Sequence, residues 1–150
     1  MRIVLDTNVW LSAIFWQGEA TQIVELAENR NFKLDIIITK DILLEIRSVI
    51  NKEAKFQKFL ENRMENIKTI LATILDLAVL VEPARKVNII AADPNDNKIL
   101  ESAIAGKADY IISYDTHLTD LKRFENTKIL TPAQFLHIFS RYPWKNIVHK

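Results

Sequence analysis

Cysteine is absent from this sequence, so neither a disulfide nor a thiolate metal site is available to it. That absence fits a reducing compartment. Glycine occurs only twice and proline four times, too few for a linker or low-complexity segment to divide the chain. Neither sign of charge dominates: 20 Lys and Arg stand against 19 Asp and Glu, a formal net charge of +1. A wholesale basic nucleic-acid binder would carry a larger excess. A cluster of acids offset by a basic rim would give the same near-zero total. No apolar run approaches a membrane span. The start reads RIVLDTNVWL, where Asp6 interrupts the apolar residues before a signal-peptide core can form. The expectation is a cytoplasmic protein.

What is present is a globular composition. A chain of 150 residues, 49% hydrophobic and 26% charged, predicts one domain over residues 1–150 with a single core. Short strand-like runs recur at Ile3–Leu5, Ile36–Ile38, Ala78–Val81, Tyr110–Ile112 and Lys128–Leu130. Helical patterns fill the gaps: Ala20–Glu28, Asp41–Asn51, a longer stretch over Phe56–Leu75, and Pro94–Ala105 closed by Gly106. Thr131 and Pro132 open a last helix as N-cap and first residue. Strands alternating with helices predict an α/β fold with a mainly parallel sheet. Such sheets bind ligands outside the carboxyl ends of their strands.

Several acids fall at those ends. Asp6 follows the first strand and Asp115 follows Ile111-Ile112-Ser113. Thr39 and Asp41 open the helix that carries Glu45, and Asp93 and Asp96 sit in AADPNDNKIL before another helix. Each has a bland reading. Asp6 and Asp93 suit helix caps, Asp96 suits a first helical turn, Glu45 suits an exposed flank, and Asp115 suits a turn. Asp41, Asp109, Asp120 and Glu101 read as surface or capping acids. Together, Asp6, Glu45, Asp96 and Asp115 would crowd like charge onto one sheet edge, and carboxylates sharing a site repel unless compensated. A divalent cation is the economical compensation, and oxygen ligands select a hard ion, Mg2+ or Mn2+.

The segments VLDTNVWLSAIFW, ITKDILLEIRSVI, DPNDNKILESAIAGKADYIISYDTHL and KILTPAQFL resemble the PIN-domain nucleases, within them the bacterial (VapC-like) toxins of toxin–antitoxin systems. They run in family order over nearly the whole chain. The resemblance implies a three-layer α/β/α sandwich around a five-stranded parallel sheet. It places the family's four metal-binding, catalytic acids on Asp6, Glu45, Asp96 and Asp115. The supporting polar residues fall on Thr7, Asn8 and Ser113, with Asp93 and His117 beside the site. Where the family has a small glycine and an acid, this chain has Tyr114 and His117. The implied activity is Mg2+- or Mn2+-dependent endoribonuclease cleavage by a metal-activated water. A cognate antitoxin and a homodimer are the implied partners, with no membrane.

Rival readings use the same residues differently. A structure-specific DNA- or RNA-processing nuclease would need the same acids. A haloacid-dehalogenase-type phosphatase would need a second acid where Asn8 stands. A non-enzymatic binding domain would need none of them. Lys52, Lys55, Lys58, Arg63, Lys122, Arg123 and Lys128 are candidates for a basic rim that contacts RNA phosphates. Trp10, Phe15 and Trp16 could stack a base, though packing in the core or a dimer interface is the expected role.

Overall fold

The computed structural model describes residues 1–89 and 94–141. The chain starts with β1 (Arg2–Leu5), α1 (Thr7–Phe15) and α2 (Glu19–Glu28). Next come β2 (Asp35–Thr39) and three helices, α3 (Lys40–Lys52), α4 (Ala54–Asn62) and α5 (Ile67–Leu77). The short β3 (Val79–Val81) precedes α6 (Pro94–Gly106) and β4 (Tyr110–Ile112). The one-turn α7 (Thr116–Thr119), β5 (Arg123–Phe124), β6 (Thr127–Leu130) and α8 (Pro132–Ser140) complete the described order.

The sheet order is β3-β2-β1-β4-β6-β5. All neighbouring pairs are parallel except β5 with β6. The five expected parallel strands are present, and the sixth, β5, is an addition of two residues folded back along the edge. Ile3, Val4 and Leu5 are fully buried, as are Ile36, Ile37 and Ile38. Consecutive strand residues point to opposite faces, so this continuous burial requires layers on both sides. This is the three-layer α/β/α arrangement. The expected Phe56–Leu75 helical stretch divides at Arg63–Asn66, where Met64 takes a positive φ of 54°. No described helix is long and apolar enough to cross a membrane.

Helix ends follow local chemistry. The Thr39 hydroxyl accepts from the Ile42 N–H and caps α3. Thr131 and Gln134 form a reciprocal capping box on α8, with Pro132 at the first helical position. The end of α6 departs from expectation. Lys107, not Gly106, takes the left-handed conformation, at φ 51°. The Lys107 N–H donates to the Ile104 carbonyl, and the Ala108 N–H donates to the Ala103 carbonyl. This is the Schellman closure, with Lys107 in the position glycine usually takes. Gly106 is needed for another reason. A Cβ there would lie 2.5 Å from Ile37 Cγ2, so the missing side chain lets α6 press against β2.

β1 has β2 on one side and β4 on the other, so the chain crosses in opposite directions from it. That makes the carboxyl ends of β1 and β4 the switch point of the sheet, where open α/β folds form a crevice.

Candidate metal centre

Asp6 is the residue immediately after β1. Its backbone N–H donates to the Ile112 carbonyl at 3.0 Å, the last rung between β1 and β4. Its side chain also caps α1: Oδ1 accepts from the Thr7 N–H at 2.8 Å. The other oxygen, Oδ2, accepts from the Ser113 hydroxyl at 2.7 Å. The capping reading of Asp6 therefore holds together with its place at the sheet edge.

Ser113 joins two acids. Its Oγ donates to Asp6 and accepts from the Asp115 N–H at 2.9 Å. Its own backbone N–H is tied to Leu130 of β6 at 2.9 Å. Asp115 caps α7, accepting from the His117 N–H at 2.8 Å. The His117 ring returns to the same carboxylate, with Nδ1 3.5 Å from Oδ1. On the far side, the Thr7 hydroxyl donates to Glu45 Oε2 at 3.0 Å. Glu45 is half-buried on α3, on the flank of the Ile42–Ile46–Ile50 stripe.

Asp96, in the first turn of α6, is buried. One ligand atom each from Asp96, Asp115 and His117 lies within 4.8 Å of the other two. Asp93 lies outside the described residues. Asn8 is exposed on α1 and lines a cleft with Trp16, Lys55 and Tyr114. Nearby, Asn97 Oδ1 accepts from the Ile89 N–H and Glu101 Oε1 from the Val87 N–H, which ties the segment before α6 to that helix.

The electrostatics follow from burial. Desolvation pushes the Asp6 carboxyl above its usual range. The bonds from Ser113 and Thr7 pull it down, and the charges of Asp115 and Glu45 push it up further. A hydrogen bond to a charged group stabilises by about 1.5–3 kcal/mol. Two of them do not reverse the shift here, so burial and like charge prevail. Among the described residues no Lys or Arg forms an ion pair with Asp6, Glu45 or Asp115. A hard divalent cation fits this donor set: carboxylate oxygens with one imidazole at the rim.

The aromatic residues near the site divide. Trp10 and Phe15 are buried in the core, as expected, but Trp16 is half-exposed. The contacts from Thr7 to Glu45 and from Ser113 to Asp6 join residues far apart in sequence, and no local pattern announces them. Asp109, read as a surface acid, sits at the opposite end of the sheet, where Oδ2 accepts from the Arg2 N–H.

The family model described as PIN domain matches residues 2–117. Among solved structures, the fold is similar to a chain in the crystal structure of VapBC2 from Rickettsia felis bound to a DNA fragment from their promoter. The TM-score is 0.57 at 20% sequence identity, over 86% of this chain and 97% of that one. No curated protein sequence matches the chain.

Proposed function

The chain belongs to the PIN domain family, and from that premise we propose that it is a Mg2+- or Mn2+-dependent endoribonuclease, the toxin of a toxin–antitoxin pair, with residues 1–150 as one PIN domain. The observation that carries the reading is the convergence of carboxylates from separate elements at the sheet's switch point. Asp6 and Glu45 are joined through Thr7, Asp6 and Asp115 through Ser113, and Asp115 and Asp96 by proximity. The VapBC2 neighbour supports the toxin part of the reading and the expectation of an antitoxin partner.

Asp6, Glu45, Asp96 and Asp115 would hold the ion or ions. A divalent ion bound there would offset phosphate charge and acidify a water for in-line attack on an RNA phosphodiester. The residues of the chain do the positioning. Ser113 and the Thr7 N–H hold the Asp6 carboxylate at both oxygens, so it needs no reorganisation when a ligand arrives. Thr7 holds Glu45 at one oxygen and leaves the other for a ligand. His117, exposed and against Asp115, is positioned to pass a proton between the site and solvent.

The test is incubation of purified protein with structured RNAs in Mg2+, Mn2+ or EDTA, with DNA of matched sequence alongside. Cleavage is expected with metal and not in EDTA. Asp6→Asn is expected to lower the rate at least roughly a hundredfold, the scale of losing a principal electrostatic element. Asp109→Asn is expected to leave it near wild type. Equal activity in all three proteins overturns the acid assignment. For the toxin role, induced expression is expected to arrest growth, and co-expression of a small protein encoded beside the gene to relieve it. Harmless expression of an active nuclease would point to RNA processing instead.

A further inference from the structure

A cleft of about 280 Å³ opens between α1, α3, α4 and the loop after β4, and none of the four candidate metal ligands lines it. Its lining includes Asn8, Trp16, Glu53, Lys55, Phe56 and Tyr114, so one carboxylate shares the cleft with the lysine. Two of these residues adjoin the candidate ligands in sequence. Asn8 is two residues from Asp6, and Tyr114 stands between Ser113 and Asp115, whose mutual hydrogen bond fixes the loop. The chain thus leads from the cleft wall to a candidate ligand within two residues at Asn8 and within one at Tyr114.

Phe56 belongs to the core, but the other two aromatic side chains of the cleft are not spent on it. Trp16 is 50% exposed and Tyr114 is 48% exposed. Burial of both rings would be expected if they only filled space. Trp16 is held without being covered: its ring meets the edges of Phe15 at 6.3 Å and Phe56 at 5.8 Å, and its backbone closes α1. The Lys55 ammonium lies 5.6 Å from the Trp16 ring and 5.0 Å from the Phe56 ring, and pairs with Glu53 at the surface. Flat apolar faces with an exposed lysine ammonium beside them match a base joined to a phosphate. The volume is below the range usual for drug-sized ligands and suits one flat ring system.

We propose that this cleft is a nucleobase subsite, in which Trp16 and Tyr114 take one unstacked base of a single-stranded RNA beside the scissile phosphate and Lys55 meets its backbone. The proposal rests on the nuclease reading for its substrate. It limits that substrate to unpaired regions, because a base in a duplex cannot leave its stack without loss.

The experiment measures binding and cleavage separately. Binding is followed by fluorescence anisotropy in EDTA, with a short fluorescein-labelled single-stranded RNA, an abasic strand of equal length, and duplex RNA. Trp16→Ala and Tyr114→Ser are each expected to weaken binding of the intact strand about tenfold, within the range for one base–aromatic stack, and to leave the abasic strand and duplex unchanged. Trp16→Phe, which keeps a ring, is expected to stay within about threefold of wild type. Thermal melts show that the variants fold. In Mg2+ or Mn2+ the same variants should raise KM and spare kcat. Losses below twofold, equal losses for intact and abasic strands, or no wild-type binding would each overturn the subsite. So would conversion of a dimer to a monomer with RNA affinity unchanged, which would make this face a subunit interface. If base-dependent binding is lost in the variants but wild type cleaves nothing, the subsite stands and the nuclease reading falls.

Discussion

Asp6 carries two duties that pull its charge in opposite directions. As a cap and hydrogen-bond acceptor it gains from being ionised, and as a buried acid beside Asp115 and Glu45 it loses. Its carboxyl is raised from 3.8 in the folded state, so between 3.8 and that higher value the native protein binds more protons than the unfolded chain. Stability from this group therefore falls as pH rises through that window, and below 3.8 the cost disappears. Asp6→Asn removes the charge and keeps an oxygen for the Thr7 N–H. In EDTA the variant is expected to match or exceed wild type in stability at pH 7, with any gain vanishing near pH 3.5. Urea melts across this range decide it. A variant less stable than wild type at pH 7 would mean that its two hydrogen bonds outweigh burial. The position of this residue was legible in sequence, because an acid directly after a buried run is conspicuous. Its bond to Ser113, which stands 107 positions away, was not.

At the scale of elements, α6 ends in a conformation that its sequence disguises. Gly106-Lys107 reads as a glycine stop, yet the glycine serves packing and the lysine bears the strain. The left-handed conformation costs a residue with a side chain roughly 1–2 kcal/mol. Lys107→Gly is expected to stabilise by up to about 1 kcal/mol, since added freedom in the unfolded chain takes back part of the gain. Gly106→Ala is expected to destabilise by about 1–3 kcal/mol, because its Cβ would overlap Ile37 in the middle of β2. Denaturant midpoints of both variants test the assignment, and the reverse order of stabilities would refute it. The five parallel strands could be read because runs such as Ile36–Ile38 carry unbroken apolar character. β5 could not, since Arg123–Phe124 is too short to show a period. α1 was hidden as well: Val9, Trp10 and Leu11 are all buried, so no polar face marks the helical repeat.

For the whole molecule, the proposed metal centre would make folding and ion binding one linked equilibrium. The acids come from four elements that meet only in the folded chain, so the unfolded chain has no preformed site. An ion at a hundredfold excess over its dissociation constant is expected to stabilise the native state by about 2.7 kcal/mol. That gain should shrink strongly in Asp6→Asn and persist in Asp109→Asn. Melts with and without Mg2+ or Mn2+, at fixed ionic strength, measure it. If metal leaves wild type unmoved, the acids are helix caps and turn residues that happen to meet. Sequence alone could place acids at strand ends, because parallel strands share one direction. It could not show the cleft, because Trp16, Lys55 and Tyr114 come from three separate parts of the chain.

The last rung between β1 and β4 has a consequence for solvent exchange. The Asp6 amide proton sits in the Asp6–Ile112 bond and the Ser113 amide proton in the bond to Leu130, both on the sheet. Both are expected to trade with deuterium only when the molecule opens widely. The His117 amide depends on a side-chain bond to Asp115 in a helix of four residues, and is expected to exchange by local opening. An ion that engages Asp115 would slow the His117 amide and leave the ratio of Asp6 to Ser113 rates unchanged. Residue-resolved exchange in Mg2+ and in EDTA would thus separate a half of the centre set by the sheet from a half that the ion completes.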